Sequence, residues 1–339
     1  MGSKPGVLIA DKFDQIGIDG LRELGCEVHQ DADLGPETIS AALKATGAKV
    51  LVVRSTKVPA SVFEDCGELG LVIRAGAGHD NIDSEAAGAK GIPVCNCPGM
   101  NAVAVAELAF GHMLNLDRRI SLQTKSLREG KWNKQEFSKA RGLKGCNLLV
   151  VGMGSIGMEL IKRAQAFEMN VSAQSRSMHK ETARALGIKM IEYTRDALKA
   201  AIEDADIVSV HVALSADTDK LCGPGFFGAM KPGAMFINTS RGEIVDEQAL
   251  IKAVKEKGIR VGLDVYQDQP SSKNCDWTQE IADLPGVSLT HHIGASTDQA
   301  QEAVALEVIR IVQTVVDEGR TLHVVNKQCL NEEQLSLAL

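Results

Sequence analysis

The chain has 339 residues, 44% of them hydrophobic but only 4% aromatic, with 32 glycines, which is long for a single core and suits two domains. A net charge of −7 and a pI near 5.7 leave no basic stripe, which argues against nucleic acid and anionic membrane as partners. Eight scattered cysteines without C-x-x-C or zinc-finger spacing, and no apolar run of the ~18 residues a spanning helix needs, point to reduced thiols, no metal and a cytoplasmic protein.

In chain order, the aliphatic run Gly6–Ala10 predicts a strand, and Ile16, Ile18, Leu21 and Leu24 recur at helical spacing over residues 14–24. Strand-like Cys26–His29, a helix near 36–46, and strand-like Val50–Val53, Leu71–Arg74 and Ile92–Asn96 follow. This alternation predicts a parallel sheet with helices on both faces. Residues 101–130 hold glycine only at Gly111 and Gly130, and read as a long helix followed by another, bridging to a second unit. There the alternation resumes with strands at Leu148–Val151, Val171–Ala173, Lys189–Tyr193, Ile207–Val212, Ala234–Asn238, Val261–Val265 and Val287–Thr290. A last helix over 297–318 places Val304, Val308, Ile311, Val312 and Val315 on one face. The tail beyond Gly319 reads as mostly strand. If that helix crosses back, the first domain is discontinuous, comprising residues 1–100 and 295–339 around a second domain at 101–294. No Pro- or Ser-rich linker separates the two, so a shared cleft is expected.

The strand Leu148–Val151 runs into Gly152-Met153-Gly154-Ser155-Ile156-Gly157 and then a helical pattern. This context gives a G-x-G-x-x-G loop its meaning: Gly152 for a tight turn, Gly154 for close backbone approach to a pyrophosphate, Gly157 for helix–strand packing. Amides at the helix start then face phosphate. A carboxylate about 20 residues on would select NAD by its ribose hydroxyls. This chain instead has Gln174-Ser175-Arg176-Ser177, whose hydroxyls and guanidinium suit a 2′-phosphate, which tips the expectation toward NADP(H).

Arg241 and His292 each lie just past a strand, where ligand sites of open parallel sheets occur. Reduction of a 2-keto acid needs a cation for the carboxylate and carbonyl, and a group exchanging a proton near neutral pH; arginine and histidine supply these.

With these motifs in order along nearly its whole length, the chain resembles the D-2-hydroxyacid dehydrogenase family. The resemblance implies a Rossmann dinucleotide-binding domain, a flavodoxin-like substrate domain and a cleft between them. In Asn238-Thr239-Ser240-Arg241-Gly242, it makes Arg241 the substrate-binding arginine; in His292-Ile293-Gly294-Ala295, it makes His292 the acid/base. His291 stands where the family usually has proline, and is expected to be structural. The family's third catalytic residue is a glutamate directly before proline, after L-D-V-[FY]. This chain reads Leu263-Asp264-Val265-Tyr266-Gln267-Asp268-Gln269-Pro270, with Gln269 at that position, as formate dehydrogenases of the superfamily have. The resemblance adds Ser155, Ile156, Thr239 and Asp264 to the cofactor residues.

Val53-Arg54-Ser55-Thr56, Arg74 to Asp83, Asn96 to Asn101 and Gly130-Lys131-Trp132 resemble phosphoglycerate dehydrogenases within the family. That resemblance implies that Arg54 and Arg74 hold a substrate phosphate and that amides around Ala75, Gly76, Ala77 and Gly78 approach the carboxylate. Ser55 and Asn101 join them, with Lys134 reaching across a homodimer whose interface is the helical run 101–130. The chain ends soon after the crossover helix, so it is expected to be a short form without a regulatory ACT domain. The leading reading is oxidation of 3-phosphoglycerate on the route to serine. An NADPH-preferring glyoxylate or hydroxypyruvate reductase and a dinucleotide-sensing, corepressor-like protein are the alternatives.

Overall fold

Short aliphatic runs alternate with amphipathic helices along the chain, and the strands they form lie in two parallel sheets. The computed structural model describes residues 5–270, 272 and 274–335. The chain divides into two compact units, one of Met1–Asn101 with Ala295–Leu339, the other Ala102–Gly294.

The first unit holds β1 (Gly6–Ile9), β2 (Glu27–Gln30), β3 (Val50–Val53), β4 (Leu71–Arg74) and β5 (Val94–Asn96) in the order β2-β1-β3-β4-β5. β3 is buried along its whole length because helices cover both faces of the sheet. Thr297 caps the long helix Asp298–Glu318, and Gly319 ends it at φ +64°. Its Val304, Val308, Ile311, Val312 and Val315 join Ile18 and Leu21 of helix Gln15–Glu23 in one core. The two helices touch because Gly20 has no side chain: a Cβ there would stand 2.3 Å from Ile309 Cδ1.

The tail departs from expectation. Among the described residues after Gly319 there is no strand; the segment holds an antiparallel bridge from Val324 to Cys95, the 3-10 turn Lys327–Cys329 and the short helix Glu332–Leu335. The cause is Asn326, wholly buried. Its side chain accepts from Val94 N–H at 2.9 Å and donates to the Ile92 carbonyl at 3.0 Å, taking backbone groups that a continuing strand would use.

The second unit holds β6 (Asn147–Val151), β7 (Asn170–Gln174), β8 (Lys189–Ile191), β9 (Ile207–Val210), β10 (Met235–Asn238), β11 (Arg260–Leu263) and β12 (Val287–Leu289), all parallel, in the order β12-β11-β10-β9-β6-β7-β8. From β6 the chain builds outward first one way, then the other, so the switch point lies between β6 and β9. The bridging segment is two helices, Ala102–Arg118 and Ile120–Arg128, broken where Arg119 adopts φ +52°. The first packs Ala106, Phe110 and Met113 against Leu148, Val150 and Ile237 of the sheet. Both units are doubly wound α/β sheets, as the strand–helix alternation implied.

Candidate active site

Parallel strands send all their outgoing loops to one edge, and the sequence-predicted residues of the second unit other than Lys134 follow the carboxyl ends of β6, β7, β10, β11 and β12. Gly152 turns at φ +97°, where a Cβ would stand 2.4 Å from the His211 carbonyl oxygen. Gly157 seats the first turn of helix Ser155–Ala166 on the Gly152 carbonyl, with no room for a side chain. Gly154 faces open space. The helix's first internal bond runs from Met158 N–H to the Gly154 carbonyl, so the amides of Ser155, Ile156 and Gly157 lack a partner within the helix.

β7 ends on buried Gln174, whose amide is bonded to the carbonyls of Glu192 and Thr194, and no acid follows it. Ser175 and Ser177 lie with hydroxyls 3.5 Å apart, and Arg176 makes an exposed 3.8 Å pair with Asp217, too solvated to contribute much. Thr239 Oγ1, just past β10, and His211 Nδ1, just past β9, are buried with no hydrogen-bond partner among the described residues. Burial lowers His211 to about 4, so its imidazole is neutral. An open glycine cradle, free helix-start amides and two orphaned polar atoms on one edge fit a dinucleotide.

Arg241 is set by its neighbours. Wholly buried Asn238 forms an Asx turn, accepting from Ser240 N–H at 2.9 Å and donating to the Arg241 carbonyl at 2.8 Å. The Ser240 hydroxyl ties the turn to the Val210 carbonyl. Gly242 then passes so close to the backbone beyond β11 that a Cβ would stand 2.0 Å from the Tyr266 carbonyl carbon.

Beyond β11 and β12, Gln269 Nε2 lies 2.7 Å from His292 Nδ1. At its other end, Gln269 Oε1 accepts from Tyr266 N–H at 3.4 Å. The amide holds the ring at Nδ1, and which of the two groups donates depends on the tautomer. His292 has φ +54°, a left-handed conformation that strains a residue with a Cβ. The next two residues hold it there: Asp264, 1% exposed, accepts from Ile293 N–H on Oδ1 and Gly294 N–H on Oδ2, both at 2.8 Å. His291 precedes it, exposed to solvent.

In the first unit, Arg54 and Ser55 follow β3. Buried Asp11 accepts from the backbone amides of Arg54, Ser55 and Thr56 on Oδ2, and from the Ser55 hydroxyl on Oδ1. The Arg54 guanidinium reaches the Ser296 hydroxyl at 3.3 Å. Arg74 lies over Gly76, where a Cβ would fall 1.6 Å from its guanidinium. The Gly76 carbonyl accepts from Cys97 N–H, and the Ala77 carbonyl accepts from the Asn96 side chain at 2.6 Å. In a trans peptide N–H opposes C=O, so the Ala77 and Gly78 amides point away from β5. Ala75 is buried at the end of this sheet, and Asn101 Oδ1 is buried without a partner among the described residues. Lys134 opens the exposed one-turn helix Lys134–Phe137 of the second unit.

A family model described as D-isomer specific 2-hydroxyacid dehydrogenase, NAD binding domain, matches residues 110–294. The chain belongs to that family. It is 37% identical over 331 residues to the D-3-phosphoglycerate dehydrogenase of Methanocaldococcus jannaschii, covering 97% of this chain and 61% of that one. It is 40% identical over 262 residues to the hydroxypyruvate reductase of Thermotoga maritima, covering 77% of this chain and 82% of that one. Among solved structures, an NADPH-dependent glyoxylate/hydroxypyruvate reductase from Sinorhizobium meliloti, in complex with NADP and malonate, matches with a TM-score of 0.82 at 25% identity, covering 99% of both chains. The chain spans about half to three fifths of the length of the first phosphoglycerate dehydrogenases it matches.

The motifs mark the residues at the loop tips and not those beneath them. Asp11, His112 and His211 carry no motif of their own, and Asn96 and Asn238 lie in motifs without a role assigned to them. The available signals were an acid directly after an aliphatic strand for Asp11, and an Asn-x-Ser turn for Asn238. Among the described residues there is no cluster of metal-ligating side chains, and no helix is long and apolar enough to cross a membrane.

Proposed function

We propose that the chain is an NAD(P)-dependent oxidoreductase of D-2-hydroxy acids, interconverting 3-phosphoglycerate and 3-phosphohydroxypyruvate. The observation that carries this reading is the Gln269–His292 contact beyond β11 and β12, with Arg241 beyond adjacent β10. His292 Nε2 gives its proton to the carbonyl oxygen in reduction and recovers one from the hydroxyl in oxidation. Arg241 neutralises the carboxylate and draws electron density from the carbonyl. Gln269 holds the ring by Nδ1. The Gly152–Gly157 loop and the Ser155 and Ile156 amides would hold the pyrophosphate, Ser175, Arg176 and Ser177 the ribose end, and Thr239 and Asp264 the nicotinamide end. When bound, the nicotinamide group supplies or accepts the hydride.

Arg54 and Arg74 are assigned to the substrate phosphate, because a doubly charged group calls for two cations. Ser55 serves by tying Arg54's loop to Asp11. The outward-turned Ala77 and Gly78 amides, with Ala75, Gly76 and Asn101, are assigned to the carboxylate. The 37% relative named phosphoglycerate dehydrogenase supports this assignment. The second reading is reduction of glyoxylate or hydroxypyruvate with NADPH. It is favoured by the missing acid after β7 and the exposed Arg176.

We also propose a homodimer built on residues 101–130. Helix Ile120–Arg128 buries no residue within the chain, and Ile120, Leu122, Leu127 and Trp132 are 51%, 48%, 55% and 81% exposed. A second copy would cover them and receive Lys134. Light scattering of a monomer at micromolar concentration would remove both claims.

The deciding assay follows nicotinamide absorbance with phosphohydroxypyruvate, hydroxypyruvate and glyoxylate, each with NADH and NADPH. A preference of roughly tenfold or more in kcat/KM for the phosphorylated substrate is expected. Preference for the unphosphorylated acids with NADPH selects the second reading.

A further inference from the structure

Beneath the His292 loop lies a row of buried polar side chains that the reaction above does not use. His112 sits within helix Ala102–Arg118, 2% exposed, against the sheet. It fits because β11 has Gly262 opposite, where a Cβ would stand 2.7 Å from His112 Cβ. Its Nδ1 is 2.8 Å from Ser288 Oγ, and its Nε2 is 3.2 Å from Thr290 Oγ1. Asn115 Nδ2 reaches the same Ser288 oxygen at 2.8 Å, and Thr290 Oγ1 reaches Asp264 Oδ1 at 2.7 Å.

Counting protons gives this row one direction. An ionised carboxylate only accepts, so Thr290 spends its single hydroxyl proton on Asp264. The Thr290 oxygen must then accept from His112, which puts the imidazole proton on Nε2. Nδ1 is left bare and accepts the Ser288 hydroxyl, and Ser288 in turn accepts from the Asn115 amide, which only donates. Every member is satisfied, and the row ends on the carboxylate that holds the amides on the far side of His292. Burial lowers the His112 pKa, opposed by Asp264, consistent with one ring proton.

We propose that His112, through Thr290, is a positioning residue for His292: it orients the Asp264 carboxylate that keeps the His292 backbone left-handed and its ring aimed. This rests on the reading of His292 as the acid/base. A helix–sheet contact needs only apolar side chains to pack, and a row of buried polar groups is tolerated only when fully paired. What this row adds beyond packing is a fixed hydroxyl donor at Asp264.

The test compares His292→Asn, the double variant His112→Leu/Ser288→Val, and His112→Gln, measuring kcat, KM, cofactor affinity and thermal stability. His292→Asn is expected to lose turnover. The double variant removes the row without orphaning a buried ring nitrogen. It should stay folded, keep KM and cofactor affinity within about twofold, and lose roughly tenfold in kcat. The conservative variant His112→Gln, whose amide can both accept from Ser288 and donate to Thr290, should keep most of the wild-type kcat. NMR of the imidazole nitrogens reads the wild-type protein directly and should find His112 protonated on Nε2 with Nδ1 bare. Wild-type kcat in the double variant beside an inactive His292→Asn, or the opposite tautomer, overturns the inference alone. Turnover retained by His292→Asn overturns the acid/base reading and this inference with it.

Discussion

Each sheet ends one strand in a buried aspartate whose carboxylate gathers the amides of the loop after a neighbouring strand. In the first unit Asp11 follows β1 and holds Arg54, Ser55 and Thr56 after β3. In the second, Asp264 follows β11 and holds Ile293 and Gly294 after β12. What lies around the two differs. The spare Asp11 oxygen takes the Ser55 hydroxyl of the loop it already holds, so that network closes on itself. Asp264 is backed by Thr290, His112, Ser288 and Asn115, and the residue it secures is left-handed. The difference follows the chemistry proposed for each loop. A guanidinium attracts a phosphate over a range of positions, whereas proton transfer requires hydrogen-bond reach and alignment, and an error of about 1 Å can cost ~10²-fold in rate.

The comparison breaks most visibly at Asp264. Asp264→Asn replaces an acceptor-only group with one whose NH2 opposes a loop amide or the Thr290 hydroxyl. Each charge-assisted bond contributes about 1.5–3 kcal/mol, and the left-handed backbone at His292 costs on the order of 1–2 kcal/mol, so the loop should relax. kcat is expected to fall about 10²-fold, with KM for the keto acid changing far less. Wild-type kcat would mean that the loop is held by other means and that the two aspartates are not counterparts.

Asp11→Asn should act more mildly and on a different constant. Loosening the Arg54 loop is expected to raise KM for the phosphorylated substrate about tenfold, leaving kcat and the constants for hydroxypyruvate within about twofold. Equal losses on both substrates would reduce Asp11 to a folding residue and remove the argument that its loop serves the phosphate.

The same comparison shows what a sequence discloses. Periodicity reports which surfaces are apolar, and the runs through Val50–Val53 and Leu148–Val151 declared buried parallel strands for that reason. Gly152 and Gly157 were legible because contact with backbone oxygen admits no other residue. Asp11 and Asp264 look alike in sequence, each an acid just past an aliphatic strand, but only a motif drew attention to Asp264. His112 reads as a polar interruption of an apolar helix face, since its partners Ser288 and Thr290 are more than 170 residues away. The tail failed for a related reason. The apolar residues Leu322, Val324 and Val325 suggest a strand, but the Asn326 side chain had already taken the backbone groups of β5 and the preceding Ile92.

The smallest effect sharpens the comparison at the reacting atom. A neutral amide at Nδ1 adds no negative charge, so the imidazolium form of His292 is less favoured than it would be beside a carboxylate. A glutamate would accept from Nδ1–H and favour the charged ring instead. Reduction needs the protonated ring, so its rate falls as pH rises through the histidine titration, while oxidation needs the neutral ring and gains over the same range. Gln269→Glu is therefore expected to move both limbs upward together, on the order of one pH unit, extending reduction to higher pH and delaying oxidation, with maximal rates little changed. Such a joint shift, measured from kcat/KM profiles in both directions, would mean that the residue touching Nδ1 sets the working pH while Asp264 sets the position of the ring. An unmoved profile would mean that the rate-limiting proton is not carried by His292, whatever holds it in place.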